Sequence, residues 1–203
     1  MPEPRAPEVR SPRAEILLIG TSTGGPAALQ EVIPALPADL PVPVAVVQHM
    51  PPHFTRSLAE RLDRHSALEV REAEAGLRLR PGLVVIAPGG RHLSVRRTAG
   101  RALVAEVTDE PEGLLHRPSV DVLFRSAADA VGGRALACIM TGMGRDGADG
   151  AAYLRERGGH VVAQDEATSV VYGMPKAVAD NGAAEAALPL DRIAAALARA
   201  LAR

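Results

Sequence analysis

The chain has 203 residues, of which 47% are apolar and 23% are charged, and its formal net charge is −1. That apolar content can build one sizeable core, but no run approaches the ~20 consecutive apolar residues that a membrane-spanning helix needs. A nearly neutral chain with two Phe, two Tyr and no Trp lacks the basic surface and the aromatic side chains of most nucleic-acid-binding proteins. We therefore expect one folded domain without a nucleic-acid partner and without membrane insertion.

The amino-terminal segment, residues 1–14, differs in composition from the rest of the chain. It contains four prolines and charges of both signs but no apolar run, so it is neither a signal peptide nor a membrane anchor. We predict a disordered leader or linker over 1–14 and a single domain over 15–203. Cys138 is the one cysteine, which excludes an internal disulfide and indicates a core thiol in a cytoplasmic protein.

The first structural signal is the segment 15–26, EILLIGTSTGGP. Its four consecutive large aliphatic residues are typical of a strand that is buried on both faces of a parallel sheet. The glycines that follow permit a tight turn and Pro26 suits the first turn of a helix, so Ser22 is predicted at a strand's carboxyl end beside a helix amino terminus. Gly20-x-Ser22-x-Gly24 has the spacing of a nucleophile elbow. The alternative is an anion-binding turn in which Ser22 only caps the helix.

The rest of the chain alternates strand-like and helix-like segments. Further strands are predicted at 44–47, 68–73, 82–88, 134–140 and 160–164, and a hairpin from 91–97 and 101–107. Helices are predicted at 27–36, 54–65, 119–131, 148–157, 176–180 and 190–203, the third with Ser119 as its N-cap. This alternation predicts an α/β fold, with a doubly wound, mainly parallel sheet and an inserted antiparallel hairpin.

Histidine and cysteine are not arranged for a metal site. His49 and His53 are four residues apart, but Pro51 and Pro52 between them prevent the helix that would place both on one face. The sequence indicates no metal and no cofactor.

Three residues with the chemistry of acyl transfer follow predicted strands: Ser22, His49 and Asp146. The carboxyl ends of parallel strands form the ligand crevice of such sheets, so the three side chains can meet there. A serine hydroxyl needs an imidazole to accept its proton, and the imidazole needs a carboxylate to fix its tautomer. Taken singly, Asp146 has the alternative role of a helix N-cap and His49 that of a structural histidine. The order Ser, His, Asp also differs from the order in α/β-hydrolases.

Six segments spread over about 16–190 resemble, in the same order, the catalytic domain of the CheB-type chemoreceptor methylesterases. They are GTSTGGPAAL, VVQHMPPHFTRSLAERL, VVIAPGGRHL, HRPSVDVLFRSAA, MTGMGRDGADG and QDEATSVVYGMPKAV. The resemblance implies a parallel-sheet α/β domain that hydrolyses γ-glutamyl methyl esters on methyl-accepting chemotaxis receptors. It also implies, for many members, deamidation of receptor glutamines.

Carried over position by position, the resemblance implies a role for five residues. Ser22 is similar to the family's nucleophile, His49 to its base and Asp146 to its orienting carboxylate. Thr23 and Met143 match positions beside the active centre. The Met143 backbone N–H is the implied donor to the oxyanion, which agrees with its place in a glycine-rich turn at a helix entry.

A second set of residues consists of candidates for the substrate groove: Arg117, Tyr172 and Met174. Arg117 lies in a loop with His116 before a predicted helix, and the alternative for this pair is a solvated loop. For Tyr172 and Met174 the alternative is a contact within the core. These positions depend on the loops and are not determined by periodicity.

The leading hypothesis is a protein-glutamate methylesterase that acts through an acyl-enzyme. The alternatives are an esterase of the same chemistry with a target outside chemotaxis, and a non-catalytic module that holds an anion in the Ser22 turn. Members of the resembled family usually carry an amino-terminal phosphoreceiver domain and linker that cover the active site until phosphorylated. Here about fifteen proline-rich residues precede the predicted domain, so a stand-alone enzyme and a piece of a longer protein both stay open.

Overall fold

The computed structural model describes residues 9–11 and 13–202, which form ten strands and six helices. The strands are β1 (Ile16–Thr21), β2 (Val44–Gln48), β3 (Glu69–Glu72), β4 (Arg78–Leu79), β5 (Leu83–Ile86), β6 (His92–Arg97), β7 (Leu103–Thr108), β8 (Ala135–Ile139), β9 (His160–Gln164) and β10 (Ala186–Leu188). The helices are α1 (Gly25–Val32), α2 (Phe54–Asp63), α3 (Val120–Val131), α4 (Ala148–Glu156), α5 (Met174–Asp180) and α6 (Leu190–Leu201). No helix in this part of the chain is long and apolar enough to cross a bilayer.

Seven of the strands form one parallel sheet in the order β10-β9-β8-β1-β2-β5-β3. The hairpin of β6 and β7 joins β4 in a separate antiparallel sheet of three strands. The predicted fold class, a doubly wound parallel sheet with an inserted antiparallel hairpin, is therefore confirmed. Strand β1 lies between β8 and β2, where the strand order reverses, and that is the position of the ligand crevice in open parallel sheets.

Strand β1 is fully buried because helices cover both faces of the large sheet. Leu17 and Ile19 point into one core, which α1, α2 and α6 complete, whereas Ile16 and Leu18 point into the other, with α3, α4 and α5. This two-sided burial is the reason that the strand sequence is continuously apolar and does not alternate. A rigid centre of the sheet results, from which the turn after β1 projects.

Two short strands and one helix end differ from the sequence prediction. Strand β10 has only three residues and pairs with β9 at the sheet edge, and β4 has only two, so neither produces a readable period. Helix α1 ends at Val32, with Ile33 as its C-cap, although the apolar pattern continues to residue 36. Pro34 follows and has no N–H to continue the helical hydrogen bonds.

Part of the predicted leader packs against the domain. The backbone N–H of Ser11 donates to the carbonyl of Ala200 in α6 over 2.8 Å, and Ser11 and Ala14 are buried. Val9 also packs against the core on this side of the sheet. These residues pack on the domain, whereas residues 1–8 and 12 of the predicted leader lie outside the described residues.

Candidate active site

Parallel pairing of β1 with β2 brings Ser22 beside His49. The register pairs Thr21 of β1 with Gln48 of β2, so Ser22 and His49 are the first residues beyond these two strands. The His49 N–H still donates to the Thr21 carbonyl over 3.1 Å, which continues the ladder to this point. The Ser22 N–H donates to Thr141 after β8 over 3.0 Å. The carboxyl ends of the three central strands therefore meet at one place.

His49 is held by Asp146 across this junction. Its Nε2 lies 2.7 Å from Asp146 Oδ2, and the two side chains are only 9% and 8% exposed. An ionised carboxylate can only accept, so Nε2 carries the proton and Nδ1 keeps the lone pair. Nδ1 is buried and has no hydrogen-bond partner within the described chain. Nδ1 is therefore the nitrogen of this ring that Asp146 does not engage.

Asp146 caps a helix, but not the one that follows it. The N-cap of α4 is Gly147, with no side-chain bond. Asp146 instead lies at the amino terminus of α3, where it accepts from the backbone N–H groups of Val120 over 2.7 Å and Asp121 over 3.1 Å. The Ser119 hydroxyl, which is the predicted N-cap of α3, also donates to it over 2.8 Å. One carboxylate thus caps the amino terminus of α3 and also contacts His49.

The pKa of Asp146 shows which effect dominates at this position. Burial by itself raises the pKa of this carboxyl, but the hydrogen bonds from His49 and from the N–H groups of Val120 and Asp121 outweigh it and lower the pKa to about 2. Asp146 is therefore ionised at every pH at which an esterase operates. The ionised carboxylate therefore lies 2.7 Å from His49 Nε2.

Asp121 has the opposite shift, and a stability prediction follows from it. Burial and the negative charge of Asp146 raise its pKa to about 6, although its Oδ1 accepts from the Gly150 N–H. A raised folded-state pKa contributes stability below the unfolded value of 3.8 that is lost as pH rises through about 6. Asp121→Asn, whose amide oxygen can still accept from Gly150, should be more stable than wild type at pH 7 by roughly 1–2 kcal/mol after allowing for solvent screening.

Urea denaturation at pH 7 and pH 4 measures this effect. The stabilisation by Asp121→Asn should largely disappear at pH 4, because the wild-type carboxyl is then neutral in the folded protein. Asp39→Asn, at an exposed position between α1 and β2, is the matched control and should change little at either pH. Equal stabilities of wild type and Asp121→Asn at pH 7 would contradict the assignment.

Close contacts hold the Ser22 turn against its neighbours. Gln48, buried at the end of β2, donates from Nε2 to the carbonyls of Ser22 over 3.0 Å and His49 over 2.9 Å. A Cβ on Gly142 would lie 2.8 Å from the Ser22 Cβ, so only glycine permits this approach. The role of Gln48 was not predicted from the sequence. A polar residue at the end of the apolar strand VAVVQ was the signal for it.

The two residues predicted beside the active centre both lie at this junction. The carbonyl of Thr23 accepts from the Thr141 hydroxyl over 2.9 Å, and the Thr23 side chain is exposed. Met143 follows Gly142, and its side chain is 67% exposed. Its backbone N–H donates to no acceptor in the described part of the chain.

The structure places the three groove candidates differently. Arg117 lines a surface depression of about 300 Å³ together with His49 and His116. Tyr172 is half-buried and forms an isolated bridge with Gly142, next to the Ser22 turn. Met174 is fully buried, and its sulfur is the nearest atom to a Cβ built on Gly142. It therefore lies beneath the groove and packs the turn from below, which corrects its prediction as a groove-lining residue.

A family model described as CheB methylesterase matches residues 17–197 of the chain. The chain belongs to the CheB methylesterase family. The matched region contains every strand of the large sheet except the first residue of β1, and it includes Ser22, His49 and Asp146. Family membership and the fold predicted from the sequence thus agree.

Curated relatives and a solved structure support this CheB assignment. A protein-glutamate methylesterase/protein-glutamine glutaminase from Anaeromyxobacter dehalogenans is 55% identical over 97% of this chain and 55% of its own length. A protein of that name from Pseudomonas aeruginosa is 50% identical over 98% of the chain and 58% of its length. The chain spans about half the length of these relatives. The crystal structure of the Thermotoga maritima CheB methylesterase catalytic domain has a TM-score of 0.88 and 44% identity, and it covers 91% of this chain and 97% of its own.

Proposed function

We propose that this CheB-family domain hydrolyses γ-glutamyl methyl esters on methyl-accepting chemoreceptors in the cytoplasm. The observation that carries the proposal is the 2.7 Å contact of His49 Nε2 with Asp146, beside a strand register that places Ser22 and His49 at adjacent strand ends and leaves the buried Nδ1 without a partner in the described chain. A simple anion-binding turn does not need this contact. The negative charge of the ionised Asp146 would also weaken the binding of an anion in this turn.

In the proposed reaction, Ser22 Oγ attacks the ester carbonyl carbon while His49 Nδ1 takes the hydroxyl proton. The Met143 N–H, with support from the Thr23 segment, stabilises the negative oxygen of the tetrahedral intermediate. The bond from carbon to the methoxy oxygen breaks, and Nδ1 returns the proton so that methanol leaves. Water activated by the same nitrogen then cleaves the acyl-enzyme and releases the glutamate side chain and Ser22. Asp146 stays ionised throughout.

Exposed apolar side chains in the segments that lead to the site support a protein substrate. Five large apolar residues of the described chain are between 46% and 90% exposed, namely Phe54, Leu114, Leu115, Met143 and Val170. Phe54 follows the His49 turn, Leu115 precedes His116, Met143 precedes Asp146, and Val170 contacts Gly24 in the Ser22 turn. Apolar surface concentrated around a site is typical of a protein-docking face. An amphipathic receptor helix presents apolar side chains of this kind.

The proposal predicts that specificity comes from docking and not from the methyl group. A single methyl group in a pocket supplies only ~1–3 kcal/mol of discrimination. Methylated receptor should therefore be hydrolysed with a much higher kcat/KM than free glutamate γ-methyl ester. The ester should also be preferred over a receptor glutamine, because an amide must release ammonia and needs more from the same acid.

Release of methanol from receptor-containing membranes with labelled methyl esters measures this activity. Leu115→Ser should raise KM for methylated receptor and leave hydrolysis of the free ester unchanged, since Leu115 is 90% exposed and holds no part of the triad. Equal kcat/KM values for the two substrates would instead indicate a small-molecule esterase. If neither ester is hydrolysed and Ser22 is never acylated, the proposed function is wrong.

A further inference from the structure

A second histidine lies flat against His49. The ring centroids of His49 and His116 are 4.0 Å apart and the ring planes differ by 13°. His116 belongs to the loop between β7 and α3, far from His49 in sequence, and no step of the proposed mechanism uses it. The loop is exposed on either side of this ring, with Leu115 at 90%. The stacked imidazole is thus a specific contact of the loop with the catalytic base.

The charges around His116 keep it neutral when His49 becomes charged. Burial and a positive charge on His49 both lower the pKa of His116, and Asp146 raises it by a smaller effect. Arg117 lies beside it in the loop, and Asp121 and Arg145 line the depression of about 280 Å³ that it shares with Asp146. Two stacked imidazolium rings would repel at this distance. At neutral pH a protonated His49 therefore faces an uncharged ring.

A neutral aromatic face stabilises a cation placed over it. The cation here is the His49 imidazolium, which forms when Nδ1 takes the Ser22 proton and disappears when methanol leaves. The same stack also holds the His49 ring in the plane in which Nε2 meets Asp146 Oδ2 at 2.7 Å. Both effects act on the transition state and hardly on substrate docking.

We propose that His116 is a positioning residue for the base, whose neutral ring orients His49 and stabilises its protonated form. The inference rests on the proposed function in one respect, because its kinetic effect requires that His49 act as the base. Its effect on the titration of His49 does not depend on any substrate. Cation–π stabilisation at a partly buried site corresponds to a change of about two- to thirty-fold in rate or proton affinity.

The experiment compares His116→Phe with His116→Leu. Phenylalanine keeps a flat neutral ring, whereas leucine excludes water to a similar extent but has no aromatic face, so the pair isolates the ring from the packing. NMR of the resting enzyme follows the His49 imidazole through a pH titration. In His116→Leu, His49 should titrate about 0.3–1.5 pH units lower than in wild type. In His116→Phe it should titrate close to wild type.

The kinetic measurement uses methanol release from methylated receptor. His116→Leu should lower kcat by about two- to thirty-fold with little change in KM and move the acid limb of the pH profile to lower pH. His116→Phe should restore both. If leucine unfolds the loop, His116→Ile replaces it. Equal His49 titrations in the phenylalanine and leucine variants would overturn the inference, even if both release methanol. A wild-type protein that releases no methanol would refute the proposed function and leave the titration to decide the role of His116.

Discussion

Ser22→Ala should remove nearly all ester hydrolysis, by as much as ~10⁶-fold in kcat, and His49→Ala should do the same. In the proposed mechanism Ser22 supplies the nucleophilic oxygen, and His49 Nδ1, which is buried without a partner in the described chain, accepts its proton. Without Ser22 the attacking oxygen must come from water, and without His49 no base takes the proton of the Ser22 hydroxyl. The double variant should be little slower than either single variant, because nucleophile and base act as one unit.

Single-turnover hydrolysis of methylated receptor measures these losses. Ser94→Ala in the small sheet and the exposed His65→Ala at the end of α2 are matched controls, and both should retain wild-type rates. Circular dichroism of the variants checks that the fold is kept. Losses that add in the double variant would show that Ser22 and His49 do not work as a nucleophile and its base.

Asp146→Asn is expected to reduce both activity and stability. Oδ2 accepts from His49 Nε2 and from the Val120 N–H, and Oδ1 accepts from the Ser119 hydroxyl and the Asp121 N–H. An amide NH₂ in place of either oxygen would therefore face two hydrogen-bond donors and no acceptor. His49 would then adopt the wrong tautomer, with a loss on the order of 10⁴-fold in kcat. A buried donor left without a partner should lower the free energy of unfolding by about 1–3 kcal/mol.

The control is Asp149→Asn, three residues further along the same segment. Asp149 is 59% exposed and pairs with Arg145, so its loss should cost at most about 1 kcal/mol and leave kcat unchanged. Urea denaturation and kcat of the two variants are measured together. A large loss of stability without a loss of kcat in Asp146→Asn would reduce Asp146 to a helix cap.

Sequence alone determined the fold class and the carboxyl ends of β1, β2 and β8, because both depend on local patterns. The uninterrupted aliphatic run of β1 predicted a strand buried on both faces, and the Gly-rich turn after it predicted Ser22 at the carboxyl end of that strand. The Ser119 N-cap was also readable, since its side chain accepts from Val122 N–H within its own first turn. The order of resembled motifs then implied which serine, histidine and aspartate act together.

Only the tertiary structure decided how those residues are held. Asp146 precedes α4 in sequence, yet its carboxylate caps α3, because the β8–α4 loop folds over the start of a helix 26 residues upstream. For Met174 the sequence left a groove position and a core contact open, and the structure buries it completely, next to the parallel bridge between Gly142 and Tyr172. No periodic pattern in the sequence predicts the stack of His116 on His49. A contact between two loops depends on how the strands and helices that support them pack. Local hydrogen bonds and apolar periodicity are properties of a segment, whereas these contacts exist only once the sheet order is set.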